Sequence, residues 1–181
     1  MMLSGWLRPN RVLMAVVAVA AGAFACRDTT TSREGSNKGI TEPSFTLGVG
    51  FTSTVIARGN LGTFHMQSKT DDYDVELKSH DNTDVVVANI VVTPGGNSGW
   101  HMHPGPAIVV VKTGTLTLYH GNDPTCSPMP HPAGSSFMEQ GGKVHIARNE
   151  GTVDATMTAT YFVPAGAPQR IDAAAPGNCA F

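Results

Sequence analysis

The chain has 181 residues with 12 basic and 14 acidic side chains, a formal charge of −2 and a length that suits one domain plus appendages. So even a balance excludes a basic footprint for nucleic acid or for an anionic lipid surface. Gly141-Gly142-Lys143 is no phosphate loop either, because the glycine and Ser/Thr that such a loop needs at its ends are missing.

Residues 1–25 read as a secretory signal. Arg8 and Arg11 form a basic start, Val12 to Ala25 is an uncharged apolar run too short to span a bilayer comfortably, and Ala23-Phe24-Ala25 is a small-x-small cleavage pattern. Cleavage there removes two arginines and no acids, so ten basic side chains remain against fourteen acidic ones and the charge becomes −4. Cys26 follows the cut directly. Ala23-Phe24-Ala25-Cys26 resembles a bacterial lipobox, which implies lipidation of Cys26; ordinary cleavage that leaves a free N-terminal cysteine is the alternative. The polar run after it buries too little apolar area to fold, so 26–44 is expected to be a flexible tether. The expected location is therefore outside the cytoplasm, as a cell-envelope lipoprotein or a periplasmic or secreted protein, touching membrane only through the lipid. In such a compartment disulfides persist. With Cys26 acylated, Cys126 and Cys179 are the pair left to bridge, and two unpaired thiols are the other possibility.

Residues 45–181 read as a single β-domain. Asp72–Ser79 alternates, with Tyr73, Val75 and Leu77 on one face, and Thr83–Thr93 is strongly β-branched. Ala107–Lys112 and Thr115–His120 flank Thr113-Gly114, a hairpin-like junction. Ser136–Glu139, Val144–Arg148 and Val153–Val163 complete the series, and Thr54–Ile56 and Thr63–Gln67 are candidate edge strands. Gly/Pro/Asn/Asp clusters separate the runs, and no sustained 3.6-residue period occurs beyond the signal. Many short strands of even spacing predict an all-β sandwich or barrel. Ala165–Phe181 is expected to run over the surface as coil.

The most informative stretch is Gly95 to His103. His101 and His103, at i and i+2 on a strand, point to one face, and His145 lies in a second glycine-framed stretch. Imidazole is the ordinary ligand of divalent transition metals such as Fe, Mn, Ni, Cu and Zn. Three such groups hold one ion and leave coordination positions open, so His101, His103 and His145 are the candidate metal ligands.

Both glycine-framed segments resemble the motifs of the cupin family. The first, G-x5-H-x-H-x3–4-E-x6-G, matches Gly95, His101, His103 and Gly114, with Ala107 where the family has glutamate. The second, G-x5-P-x-G-x2-H-x3-N, matches Gly134, Gly142, His145 and Asn149, with Gln140 in place of proline. The resemblance spans 95–149 and implies a double-stranded β-helix, a jelly-roll barrel with the histidines at its mouth. It also implies a metal cofactor and, at family level, a homodimer. Without the glutamate the three-histidine site is neutral before loading. A divalent ion would keep its full charge there and favour anionic or chelating ligands.

Around the histidines, His120, Gln140 and Glu139 are candidates for supporting roles next to the metal, with Glu139 expected to face solvent. His120 ends a strand near the mouth and is the candidate acid/base. His65, His80 and His131 are expected at the surface, and Trp100 and Met102 to point away from the metal. No serine or threonine is tied by spacing to a base–acid pair, which disfavours a covalent hydrolase. The leading function is a metal-dependent oxidoreductase, of dioxygenase type, acting on a small organic substrate. A non-catalytic surface lipoprotein that captures a small molecule or metal, and a structural barrel with a vestigial site, are the alternatives.

Overall fold

The computed structural model describes residues 45–181. The signal, Cys26 and the tether lie outside the described residues.

Every regular element among them is a strand. The alternation that identified β9 (Ala155–Pro164) is carried by Ala155, Met157, Ala159, Tyr161 and Val163 pointing inward, with Thr156, Thr158, Thr160 and Phe162 between them on the other face. β2 (Asp74–Asn97) lies antiparallel to β9 from Thr83↔Pro164 to Val92↔Ala155, adding Val86, Ala88, Ile90 and Val92 to the same face. On the other side of β9 comes β4 (Ala107–Thr113), then β7 (Ser136–Glu139). The other wall is β5 (Thr115–His120), between β6 (Met129–Pro132) and β8 (His145–Arg148). Its Leu116 and Leu118 meet the β2/β4/β9 residues in one apolar core. Side chains of this size contribute about 1.5–3 kcal/mol each when fully buried. The outcome is a nearly closed antiparallel barrel of the double-stranded β-helix type.

Three expectations need correction. The candidate edge strands at 54–56 and 63–67 belong to one continuous β1 (Val49–Lys69), which pairs along nearly the whole of β2. Asp72–Ser79 and Thr83–Thr93 likewise merge into β2. Thr113-Gly114 is not a hairpin, because β4 and β5 do not pair; β4 hydrogen-bonds β7 and β9, β5 hydrogen-bonds β6 and β8. Gly114 has φ 69°, and a Cβ there would lie 2.7 Å from the Asp154 carbonyl oxygen, so it is a crowded corner where the chain changes walls.

A smaller cluster of Trp100, Tyr119 and Ile146 packs outside the main core against Cys126 and Cys179. These cysteines form a disulfide across 53 residues. The C-terminal segment is mostly coil, as expected, but Ile171–Asp172 forms a short β10 beside β3 (His101–Met102). His131, expected at the surface, is half-buried on β6, with its ring stacked on Phe137 at 4.0 Å.

Candidate metal centre

β3 is only two residues long and is held between β10 and β8. Its pairing sets His101 directly opposite His145, and opposed residues of an antiparallel pair share a face. His103 follows two residues later on the same side. Ring centroids are 4.4 Å apart for His101–His145, 4.9 Å for His101–His103 and 5.1 Å for His103–His145. One ligand nitrogen from each lies within 4.8 Å of the others, and all three residues are buried.

The outer nitrogens are anchored on the main chain. His101 Nδ1 lies 3.0 Å from the Gly99 carbonyl oxygen, His103 Nδ1 2.6 Å from that of Gln169, and His145 Nδ1 2.9 Å from that of Lys143. Carbonyl oxygens only accept, so this network assigns the proton to Nδ1 and turns the Nε2 lone pair inward. That is the tautomer a metal requires. Ser98 braces the same strand: its hydroxyl accepts from Ala147 N at 2.9 Å, donates to the Gly99 carbonyl at 2.8 Å and lies 3.3 Å from His101 Nδ1. Gly142 N donates to the His103 carbonyl at 2.8 Å, fixing the second glycine segment to the first. Asn149 closes the frame, its amide donating to the carbonyls of Val92 and Val153, both at 2.8 Å.

Glu139 is not exposed. It is 7% accessible, with Oε2 3.0 Å from His103 Nε2 and Oε1 3.2 Å from His145 Nε2. The cluster therefore contains a carboxylate, which corrects the expectation of a neutral site. Burial alone would raise the Glu139 carboxyl, but the close approach of the His103 and His145 imidazoles outweighs it and holds the carboxyl below its usual range. Burial also works against charge on His145, and Glu139 reverses that, leaving this imidazole raised. His101 is pushed down to about 2 by burial and by the neighbouring positive groups of His145 and Arg170.

The donor set fits a metal ion. Two buried Nε2 atoms, those of His103 and His145, have no well-formed hydrogen bond, yet each faces a carboxylate oxygen. A lone pair against an anionic oxygen at that range repels unless a cation, a proton or a metal, stands between them. On the core side of the cluster a cavity of about 20 Å³ is bounded by Ser98, His101, His103, Glu139 and Tyr161 together with apolar core side chains. Outside it an open cavity of about 280 Å³ is lined by His120, Asn122, Gln140 and Lys143, with Glu139 and His145 in its wall. His120 faces His145 across β5/β8, ring centroids 6.4 Å apart, and Gln140 is exposed at this opening. Trp100 is buried in the small outer cluster and Met102 is half-buried. His65 and His80 lie far from the site in sequence and on the surface, His65 paired with Glu76 at 2.7 Å.

Sequence reasoning overlooked Ser98 and the Gln169 carbonyl; Tyr161, a buried core residue, also borders the site, its ring centroid 5.1 Å from that of His103. For Glu139 the nearest signal was Phe137, two residues earlier and on the same face of β7, but the adjacent Met138 is equally apolar and marks the other face.

A family model for the cupin domain matches residues 89–164. Among solved structures the chain is similar to a conserved protein with a double-stranded β-helix domain from Klebsiella pneumoniae, 21% identical over 79% of this chain and 98% of that one, TM-score 0.45. It is also similar to a cupin-like protein from Thermotoga maritima, 16% identical over 53% of this chain and 79% of that one, TM-score 0.43. An oxalate oxidase is 26% identical over 45% of this chain, TM-score 0.39, and this chain spans 46% of that protein. No curated protein matches. Residues 89–164, the part of the jelly-roll barrel that carries both glycine-framed histidine motifs on facing strands, match the cupin domain.

Proposed function

We propose that this protein binds one divalent transition metal through His101, His103 and His145 and uses it on a small organic molecule, as an oxidoreductase of dioxygenase type. The observation that carries this reading is the convergence of three Nε2 lone pairs while every Nδ1 is tied to a main-chain carbonyl. Imidazoles serving only as packing or hydrogen-bonding residues have no need to turn three lone pairs onto one point. Once bound, such an ion acts as a Lewis acid and, if it is iron, manganese or copper, as a redox centre.

The chain's own groups do the rest. The outer cavity of about 280 Å³ admits a small molecule and not a polymer segment. Lys143 places a positive charge at its rim, which favours a substrate carrying a carboxylate or enolate. His120, opposite His145, is placed to exchange a proton with a molecule held there. Tyr161 and the apolar barrel exclude water from the inner side of the histidines.

We also propose that the protein works outside the cytoplasm, anchored through Cys26. The Cys126–Cys179 disulfide supports an oxidising compartment. Labelled palmitate that enters the chain and is lost in Cys26→Ser would support the anchor; label retained in the variant would exclude it.

The test of the metal reading is metal content by mass spectrometry on the purified protein beside a His101→Ala/His145→Ala double variant. About one metal per chain, absent from the variant, is expected. No metal in either, even after anaerobic reloading, overturns it. Loaded protein that consumes no O2 across diketones, catechols and thiols, yet binds one of them, would replace catalysis with capture.

A further inference from the structure

We propose that Glu139 is a fourth protein ligand of this metal, supplied by β7 in place of the carboxylate that β4 lacks at Ala107. The inference rests on the metal reading above. Ala107 and Glu139 are directly opposed on paired strands β4 and β7, so their side chains share the inward face. Ala107 is fully buried and opposes Tyr161 on its other side, and its single methyl leaves the space between them to the longer neighbours. A carboxylate one strand over reaches the same region from the opposite Cα.

The contacts decide between a ligand and a merely supporting carboxylate. A supporting carboxylate accepts the N–H of the histidine nitrogen that does not bind metal. Here those nitrogens are all taken by the carbonyls of Gly99, Gln169 and Lys143. Glu139 instead faces Nε2, the metal side, and divides its two oxygens between two different histidines. Among the described residues its ion-pair partners are these two histidines, and no lysine or arginine neutralises it. A bound divalent cation supplies that neutralisation. Four protein ligands then leave two open positions on an octahedral ion where three would leave three. The ion's charge is also halved towards an incoming substrate, so one bidentate, singly charged molecule becomes the fitting ligand.

The test compares wild type, Glu139→Gln, Glu139→Ala and Glu139→Ala/Ala107→Glu as cobalt(II)-loaded proteins, with circular dichroism confirming the fold of each. Glu139→Gln and Glu139→Ala are expected to bind cobalt at least tenfold more weakly and to shift its visible absorption bands. The double variant, with the carboxylate returned to β4, is expected to recover the affinity. Wild-type affinity and an unchanged cobalt spectrum in both single variants would overturn the proposal while leaving the three-histidine site standing. Absence of cobalt from the wild type as well as from the variants would overturn the metal reading and this inference with it.

Discussion

His101 and His145 face each other directly across the β3/β8 pair, although four strands, β4 to β7, lie between them in the chain. A ligand strand of two residues cannot hold its own position. It depends on β8 on one side, β10 on the other and Ser98 beneath.

Ser98→Ala is therefore expected to act on both fold and metal. It leaves the buried Ala147 N–H without an acceptor, a loss of about 1–3 kcal/mol. It also removes a group beside His101 Nδ1, and lost orienting contacts of this kind weaken metal binding by about 10-fold to 100-fold. Urea unfolding and a metal titration measure the two effects separately.

The Cys126–Cys179 bridge supports the site at a distance. It ties down the C-terminal segment that carries β10 and the Gln169 carbonyl on which His103 rests. Replacing both cysteines with serine should lower unfolding stability by about 4 kcal/mol on the chain-entropy model for a loop of this size. Metal affinity should fall with it. An unchanged affinity alongside reduced stability would mean that β10 holds its place without the bridge.

Asp84 gives the barrel an acid-sensitive joint. The Gly166 amide at 2.9 Å, the Asn60 amide at 2.9 Å and the Arg58 guanidinium at 2.9 Å lower its carboxyl from 3.8 to about 2. A depressed carboxyl stabilises the folded state above its unfolded value, and that contribution disappears as pH falls from 3.8 towards 2. The gap in melting temperature between wild type and Asp84→Asn should be constant near neutral pH and close over that window. A gap that persists at pH 2 would contradict the assignment.

Lys143→Ala tests the outer cavity. It should leave metal content unchanged, because the residue contributes only its main-chain carbonyl to His145. Binding of small carboxylates to the loaded protein should weaken, and isothermal titration would register the difference.

Much of this was legible in the sequence because it is local. The i, i+2 pair His101/His103 needs only strand alternation, and β9 alternates over its whole length. What was not legible depends on pairing. The candidate edge strands 54–56 and 63–67 are one strand because the ladder to β2 runs on past Gly59 and Gly62, with register shifts at Gly62. Gly114 has the chemistry of a tight turn, and only the partners of β4 and β5 reveal it as a corner. Glu139 was misread as solvent-facing because β7 is four residues long, too short to define an inward face without the partner β4.

The three main-chain carbonyls behind the histidines have one more consequence. Imidazole orientation here is set first by backbone geometry, established when the barrel folds, with the Ser98 hydroxyl adding to it at His101. The metal-free protein should therefore already be folded around a finished socket, and an ion can leave and be replaced without local refolding. Which ion is resident would then follow from supply in the surroundings as much as from the protein.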